Sequence, residues 1–88
     1  MDIKMRRSRV LEKLRAGQVA SCFKMNLADA RAAEIAGWCG FDCVWTCADH
    51  VANDFRVIEE TIRAAKAFDM DCMVRIPRGS YSDYIKPL

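Results

Sequence analysis

The sequence of 88 residues holds one histidine. His50 is therefore its one side chain with an ordinary titration point near neutrality, which makes it the candidate general base. The plainer alternative is a histidine that caps a helix or hydrogen-bonds within a loop. Arg75 is the second candidate. It sits inside Met73-Val74-Arg75-Ile76-Pro77, and a guanidinium in an apolar strand is destabilising unless it meets a carboxylate or a phosphate. Its planar fork of donors matches the carboxylate end of an α-keto acid. The alternative is an internal pair with Asp49, Asp71 or Asp42. Asp49 itself pairs with Arg75 or His50, or is a solvated loop carboxylate. The cluster Arg6, Arg7, Arg9, Lys13 and Arg15 reads as a solvated helix face, with anion binding as the other possibility.

The five cysteines, Cys22, Cys39, Cys43, Cys47 and Cys72, are odd in number and lie in apolar patterns. There a reduced Cys behaves as a small hydrophobe, so no disulfide framework is expected. Cys43 and Cys47 have C-x3-C spacing but lack further Cys or His at ligand spacing, so no zinc site is assigned.

These side chains need a scaffold, and the apolar pattern supplies one. Met5, Val10, Leu11 and Leu14 recur near helical spacing, predicting an opening helix over 4–16 that stops at Gly17. Gln18 to Met25 reads as a first strand ending at Asn26. Asp29 to Trp38 has helical composition, with Gly37 and Gly40 closing it. Cys43-Val44-Trp45-Thr46-Cys47 is apolar on both faces, the mark of a strand covered on both sides. Asn53 or Asp54 caps a helix carrying Phe55, Ile58, Ile62, Ala65 and Phe68 at spacings of three and four. Cys72 to Pro77 forms a third strand, and Ser80 to Ile85 begins a short helical stub.

The chain is thus one unit, 1–88, with βα repeats over 18–88. Strands joined through helices run parallel, and parallel sheets need both faces covered. A complete (β/α)8 barrel takes about 250 residues, so the expected fold is α/β, a partial TIM barrel supplying roughly the first third. Either the chain is a fragment, or something else covers its third strand. In such folds ligands bind beyond the carboxyl ends of the strands. Those ends carry Lys24 and Asn26, then Asp49-His50, then Arg75.

Composition excludes several classes. Apolar residues make up 52% and charged residues 30%, a balance that suits a packed domain. Fourteen Lys and Arg against twelve Asp and Glu leave a net charge of +2, too weak to argue for nucleic acid or an anionic membrane as partner. Phe23, Trp38, Phe41 and Trp45 fit core positions better than base-stacking platforms. No apolar run approaches the roughly 18 to 20 residues of a membrane span. The opening Met1 to Arg7 lacks the apolar stretch of a signal peptide, so a cytoplasmic protein is expected.

Three local matches resemble the HpcH/HpaI family of class II pyruvate-dependent aldolases. Leu27-Ala28-Asp29, Ala33-Glu34-Ile35-Ala36-Gly37 and Gly40-Phe41-Asp42 together look like its L-A-D…A-E-I…G-F-D stretch. Asp49-His50-Val51-Ala52-Asn53-Asp54 is similar to its E-H-x-P-N-D segment, and Val74-Arg75-Ile76-Pro77 to its V-R-x-P. The resemblance implies a (β/α)8 barrel, assembled as a trimer or hexamer, acting on a small keto acid. It also implies a divalent metal at the rim, Mg, Mn or Co, whose Glu and Asp ligands lie on later strands. No residue of this chain is assigned to that metal.

Carried over, His50 is the base and Arg75 holds the pyruvate moiety and steadies its enolate. The sequence departs from the pattern at Cys47-Ala48-Asp49-His50, where relatives carry D-G-E-H. It departs again at Ala52 in place of Pro, and at Lys24 where many members have an aromatic. The reading is the amino-terminal part of an aldolase, inactive as this segment alone. The alternative is a non-catalytic shortened barrel that assembles with copies of itself or with a partner.

Overall fold

The computed structural model describes residues 4–49 and 52–86. Its elements follow in the order α1 (Arg9–Arg15), β1 (Cys22–Met25), α2 (Ala30–Trp38), β2 (Cys43–Cys47), α3 (Phe55–Ala67), β3 (Asp71–Arg75) and α4 (Tyr81–Ile85). The strands form one three-stranded sheet in the order β1-β2-β3. Both pairings are parallel, with Cys22 beside Cys43, Lys24 beside Trp45, Trp45 beside Met73 and Cys47 beside Arg75. This is the β-α-β-α-β order expected of part of a TIM barrel.

The helices α2 and α3 lie against one face of the sheet. Met25 and Val44 from the strands meet Ala33, Ala36, Ala64, Ala65 and Met70 in the buried cluster, with Phe23, Phe41, Phe68 and Cys72 packed around it. The small residues of α2 allow α3 to approach closely. Gly37 is the extreme case: a Cβ there would collide with the Phe68 ring. Gly37 therefore does not close the helix as the sequence suggested. It lies inside α2, and Gly40, with φ of 88°, follows the Cys39 C-cap in the left-handed conformation open to glycine. Thr61, wholly buried in α3, donates its hydroxyl to the Val57 carbonyl at 2.9 Å and so leaves no polar group orphaned.

Side chains alternate along a strand, so the opposite face carries Cys22, Lys24, Cys43, Trp45, Cys47, Asp71, Met73 and Arg75. In a closed barrel this is the inner face. Trp38, expected in the core, is 74% exposed on the outside of α2, where its ring stands edge-on to Phe68 at 6.2 Å.

The opening helix is shorter than predicted and starts at Arg9, because its cap is built by another part of the chain. Ser8 accepts from the Leu11 N–H and donates to Asp71 Oδ2 at 2.6 Å. The Asp71 carboxylate also accepts the N–H groups of Arg9 and Val10 at 3.1 and 2.9 Å. A carboxylate at a helix N-terminus satisfies donors that have no intrahelical partner and complements the helix dipole. Ahead of the helix, Arg6 donates to the Asp71 carboxylate, to Asp69 Oδ1 and to the Asp69 carbonyl. That clamp holds the α3–β3 turn, where Asp69 has φ of 56°.

Asp42, just before β2 and 1% exposed, forms the second anchor. It accepts from Arg9 Nε at 2.7 Å, Lys13 Nζ at 2.9 Å and the Ser21 N–H at 2.9 Å. Arg6, Arg9 and Lys13 are thus not a merely solvated face. They pin α1 across the amino-terminal ends of β2 and β3. The need for Ser21 at Asp42 also explains why β1 begins at Cys22 rather than at Gln18.

Candidate active site

The carboxyl ends of the three strands lie together at the opposite pole from α1. Register sets Arg75 at the end of β3 directly beside Cys47 at the end of β2. One more ladder bond, from the Ala48 N–H to the Arg75 carbonyl at 2.8 Å, carries the pairing into the following loop. Asp49 leaves that loop with Oδ2 at 3.9 Å from Arg75 Nε.

The loop is tied down from its far end. Asn53 Nδ2 donates to Thr46 Oγ1 at 2.9 Å and to the Cys47 carbonyl at 3.3 Å, while its Oδ1 accepts the Asp54 N–H at 3.0 Å. Asp54 then caps α3 by accepting the Val57 N–H at 2.9 Å. Sequence reasoning offered Asn53 and Asp54 as interchangeable caps. The structure divides the work: Asp54 caps, and Asn53 fastens the loop to the buried Thr46. An amide has the donors for this second task and a carboxylate does not. A cleft of about 260 Å³ opens here, lined by Ala48, Asn53, Asp54, Phe55 and Pro77.

Of the residues singled out in the sequence, Arg75 and Asp49 meet at this rim, and His50 lies outside the described residues. Arg75 is more open than the apolar run around it suggested. Its side chain is 47% exposed, because it stands on the sheet face that α2 and α3 do not cover. Asp42 and Asp71, its other proposed partners, lie at the opposite pole, engaged with α1. Arg75 is therefore held by Asp49 alone among those candidates, through a long contact of the kind that contributes under about 1 kcal/mol in water. A ligand carboxylate would compete with it easily.

One row deeper on the same face, Lys24 Nζ lies 5.1 Å from the centre of the Trp45 ring. At the amino-terminal end of the sheet, burial pushes the Cys43 thiol up to about 12, and its contact with Cys22 adds to the shift. Burial likewise raises Cys72 to about 11. Neither is a nucleophile near neutrality. Among the described residues no group of three or more His, Cys, Asp or Glu is placed to hold a metal ion. The chain's described side chains do not by themselves fit one.

The rim geometry invites comparison with solved barrels. The chain superposes on the HpcH/HpaI aldolase from Desulfitobacterium hafniense DCB-2 with a TM-score of 0.79 and 24% identity, covering 92% of this chain and 32% of that one. Its fold is that of part of an HpcH/HpaI aldolase. The partial-barrel fold that the motifs implied is therefore the fold observed.

The citrate synthase SbnG is similar as well, with a TM-score of 0.75 and 23% identity over 90% of this chain and 31% of that one. A single-substitution variant of the same synthase matches at 0.74 and 26% identity, over 89% and 32%. The chain thus spans about a third of the length of these structures. No family model matches the sequence, and no curated protein matches it. Among the described residues no helix is long and apolar enough to cross a membrane.

Proposed function

We propose that the chain is the amino-terminal part of a metal-dependent aldolase, a carbon–carbon lyase that cleaves a 4-hydroxy-2-oxo acid to pyruvate and an aldehyde. The observation that carries this reading is the meeting of Arg75 with the Asp49 loop at the carboxyl ends of adjacent parallel strands. His50, the next residue after Asp49, is the proposed base.

In the cleavage direction His50 takes the proton of the C4 hydroxyl. The C3–C4 bond breaks as the C4 carbonyl forms, and the electron pair moves onto the oxygen at C2 as the pyruvate enolate. Arg75 donates to the keto-acid end, where negative charge accumulates, and so stabilises the transition state more than the ground state. Protonation at C3 completes pyruvate. Asp49 keeps the guanidinium turned toward the rim until the substrate carboxylate displaces it. The divalent metal implied by the family would supply further charge stabilisation from ligands outside the described residues, and no step above depends on it. A soluble homo-oligomer in the cytoplasm suits the same reading.

The test is pyruvate release from 4-hydroxy-2-oxo acids in the presence of Mn²⁺ or Mg²⁺, for the 88 residues and for a polypeptide extended through eight strands. Release is expected from the long form alone, and its absence there rejects the enzyme reading. In the active form His50→Ala should lower kcat by about a hundredfold or more. Arg75→Ala should raise KM as well as lower kcat.

A further inference from the structure

We propose that Cys22 and Cys43 form a dithiol redox site at the amino-terminal pole of the sheet. It reacts with a low-molecular-weight disulfide such as oxidised glutathione and closes to a Cys22–Cys43 disulfide that fastens β1 to β2. The inference is independent of the aldolase reading, because it concerns the pole opposite the Arg75 rim.

Three observations converge. First, register places Cys22, the first residue of β1, directly beside Cys43, the first residue of β2, and alternation turns both toward the face that α2 and α3 leave uncovered. Neighbouring strands lie about 4.8 Å apart, within the about 4.4–6.8 Å of Cα separation that a disulfide spans. The two side chains already meet in a hydrogen bond. Second, they differ in access: Cys22 is exposed, whereas Cys43 is 1% exposed. A dithiol pair works through that difference, with an outer sulfur that meets the reagent and an inner one that resolves the mixed disulfide. Third, the other cysteines are placed elsewhere. Cys72 is registered with Val44 and packs on the core face, Cys47 stands beside Arg75 at the far end of β2, and Cys39 caps α2.

The exchange runs in two steps. Cys22 Sγ, as the thiolate, attacks one sulfur of the small disulfide, whose S–S bond breaks to release one small thiolate, and that thiolate takes up the proton Cys22 had given to water. Cys43 then loses its proton to water, its sulfur attacks Cys22 Sγ, and the second small thiolate leaves and is protonated. Two protein thiols are oxidised to one disulfide, and one small disulfide is reduced to two thiols. Cys43 does not begin the sequence, since burial and the Cys22 contact keep its proton on. As the resolving thiol it faces a sulfur held beside it, and proximity replaces the reactivity it lacks. Capping Cys22 also removes the hydrogen bond that helped to hold the proton. A cleft of about 380 Å³ beside Cys43, Asp71 and Met73 leaves room for the sulfur to turn.

The experiment treats the complete polypeptide that carries these residues with oxidised glutathione, without denaturant, and maps its cysteines by proteolysis and tandem mass spectrometry. The wild type should yield one intramolecular disulfide joining Cys22 to Cys43. Cys43→Ala should stop at a glutathione adduct on Cys22, and Cys22→Ser should leave Cys43 as the free thiol. A wild type that stays unlinked, stops at the Cys22 adduct, or joins Cys22 to Cys39, Cys47 or Cys72 overturns the proposal. The wild-type map decides this even where a variant fails to fold.

A second readout follows the consequence for the sheet. Closing the link restricts the unfolded chain, so the oxidised wild type should unfold at a higher urea concentration than the reduced form, and dithiothreitol should reverse the shift. The Cys22→Ser variant should show no such shift. A midpoint that falls on oxidation, or that rises equally in Cys22→Ser, overturns the fastening of β1 to β2.

Discussion

Asp42 and Asp71 are the residues on which the amino-terminal pole depends. Hydrogen bonding from Lys13 is the largest influence on Asp42, opposed by burial and helped by the Ser21 N–H, and it brings the carboxyl from 3.8 to about 2. For Asp71 burial is the largest influence and raises the value. The Ser8 hydroxyl, Arg6 and the Val10 and Arg9 N–H groups together outweigh it and hold the carboxyl at about 2. Each carboxylate is thus harder to protonate folded than unfolded.

The stability they contribute is complete above the ordinary carboxylate value and is lost as pH falls from about 4 to about 2. A shift of this size corresponds to about 2 kcal/mol for each group. Asp42→Asn should therefore destabilise by about that amount at neutral pH, and by little at pH 2. Urea titrations of both forms at the two pH values check it, and an equal difference at both would remove Asp42 from this role. Its importance was hidden in the sequence. In the sequence Asp42 and Asp71 stand only as possible partners of Arg75, and the fold instead brings Arg9 and Lys13 to one and Ser8 and Arg6 to the other.

At the scale of elements, the α2–α3 contact is the most sensitive seam. Gly37 faces Phe68 at a separation that leaves no room for a methyl group. Gly37→Ala would gain about 1 kcal/mol of helix propensity but force the Phe68 ring out of place, at a cost of about 1–3 kcal/mol for overpacking. A net loss of about 1 kcal/mol is expected. Gly37→Ala combined with Phe68→Leu should recover part of it, and thermal unfolding of the single and double variants measures the coupling. If Gly37→Ala alone raises the midpoint, the two helices are not packed this closely.

The elements themselves were largely legible. β2 came out at the expected residues because apolar side chains on both faces specify a covered strand, and Asp29 and Asp54 cap their helices as small acceptors do. The opening helix was less legible, since its first turn is set by Asp71, 62 residues away from Arg9.

On the scale of the whole molecule, β3 is an open edge. Beside it runs a groove of about 410 Å³ whose lining includes Ile62, Met70, Cys72, Val74, Ile76 and Tyr84. Exposed parallel strand edges and apolar faces promote association. The 88-residue chain prepared by itself should therefore bind a hydrophobic dye and self-associate at micromolar concentration, as read by sedimentation velocity. A dye-negative monomer would mean that the groove is closed in solution.

Local patterning accounts for the periodicity, the caps, the parallel order and the polar groups waiting at the strand ends, because each depends on neighbours a few residues away. Three matters depended on contacts between distant segments. Arg75 is half open, since no helix covers its side of the sheet. Three of the basic side chains near the amino terminus serve as anchors for the Asp42 and Asp71 carboxylates, and Lys24 stands over Trp45. Register and the packing of one element on another bring these partners together across tens of residues, and no spacing along the chain encodes such a meeting directly.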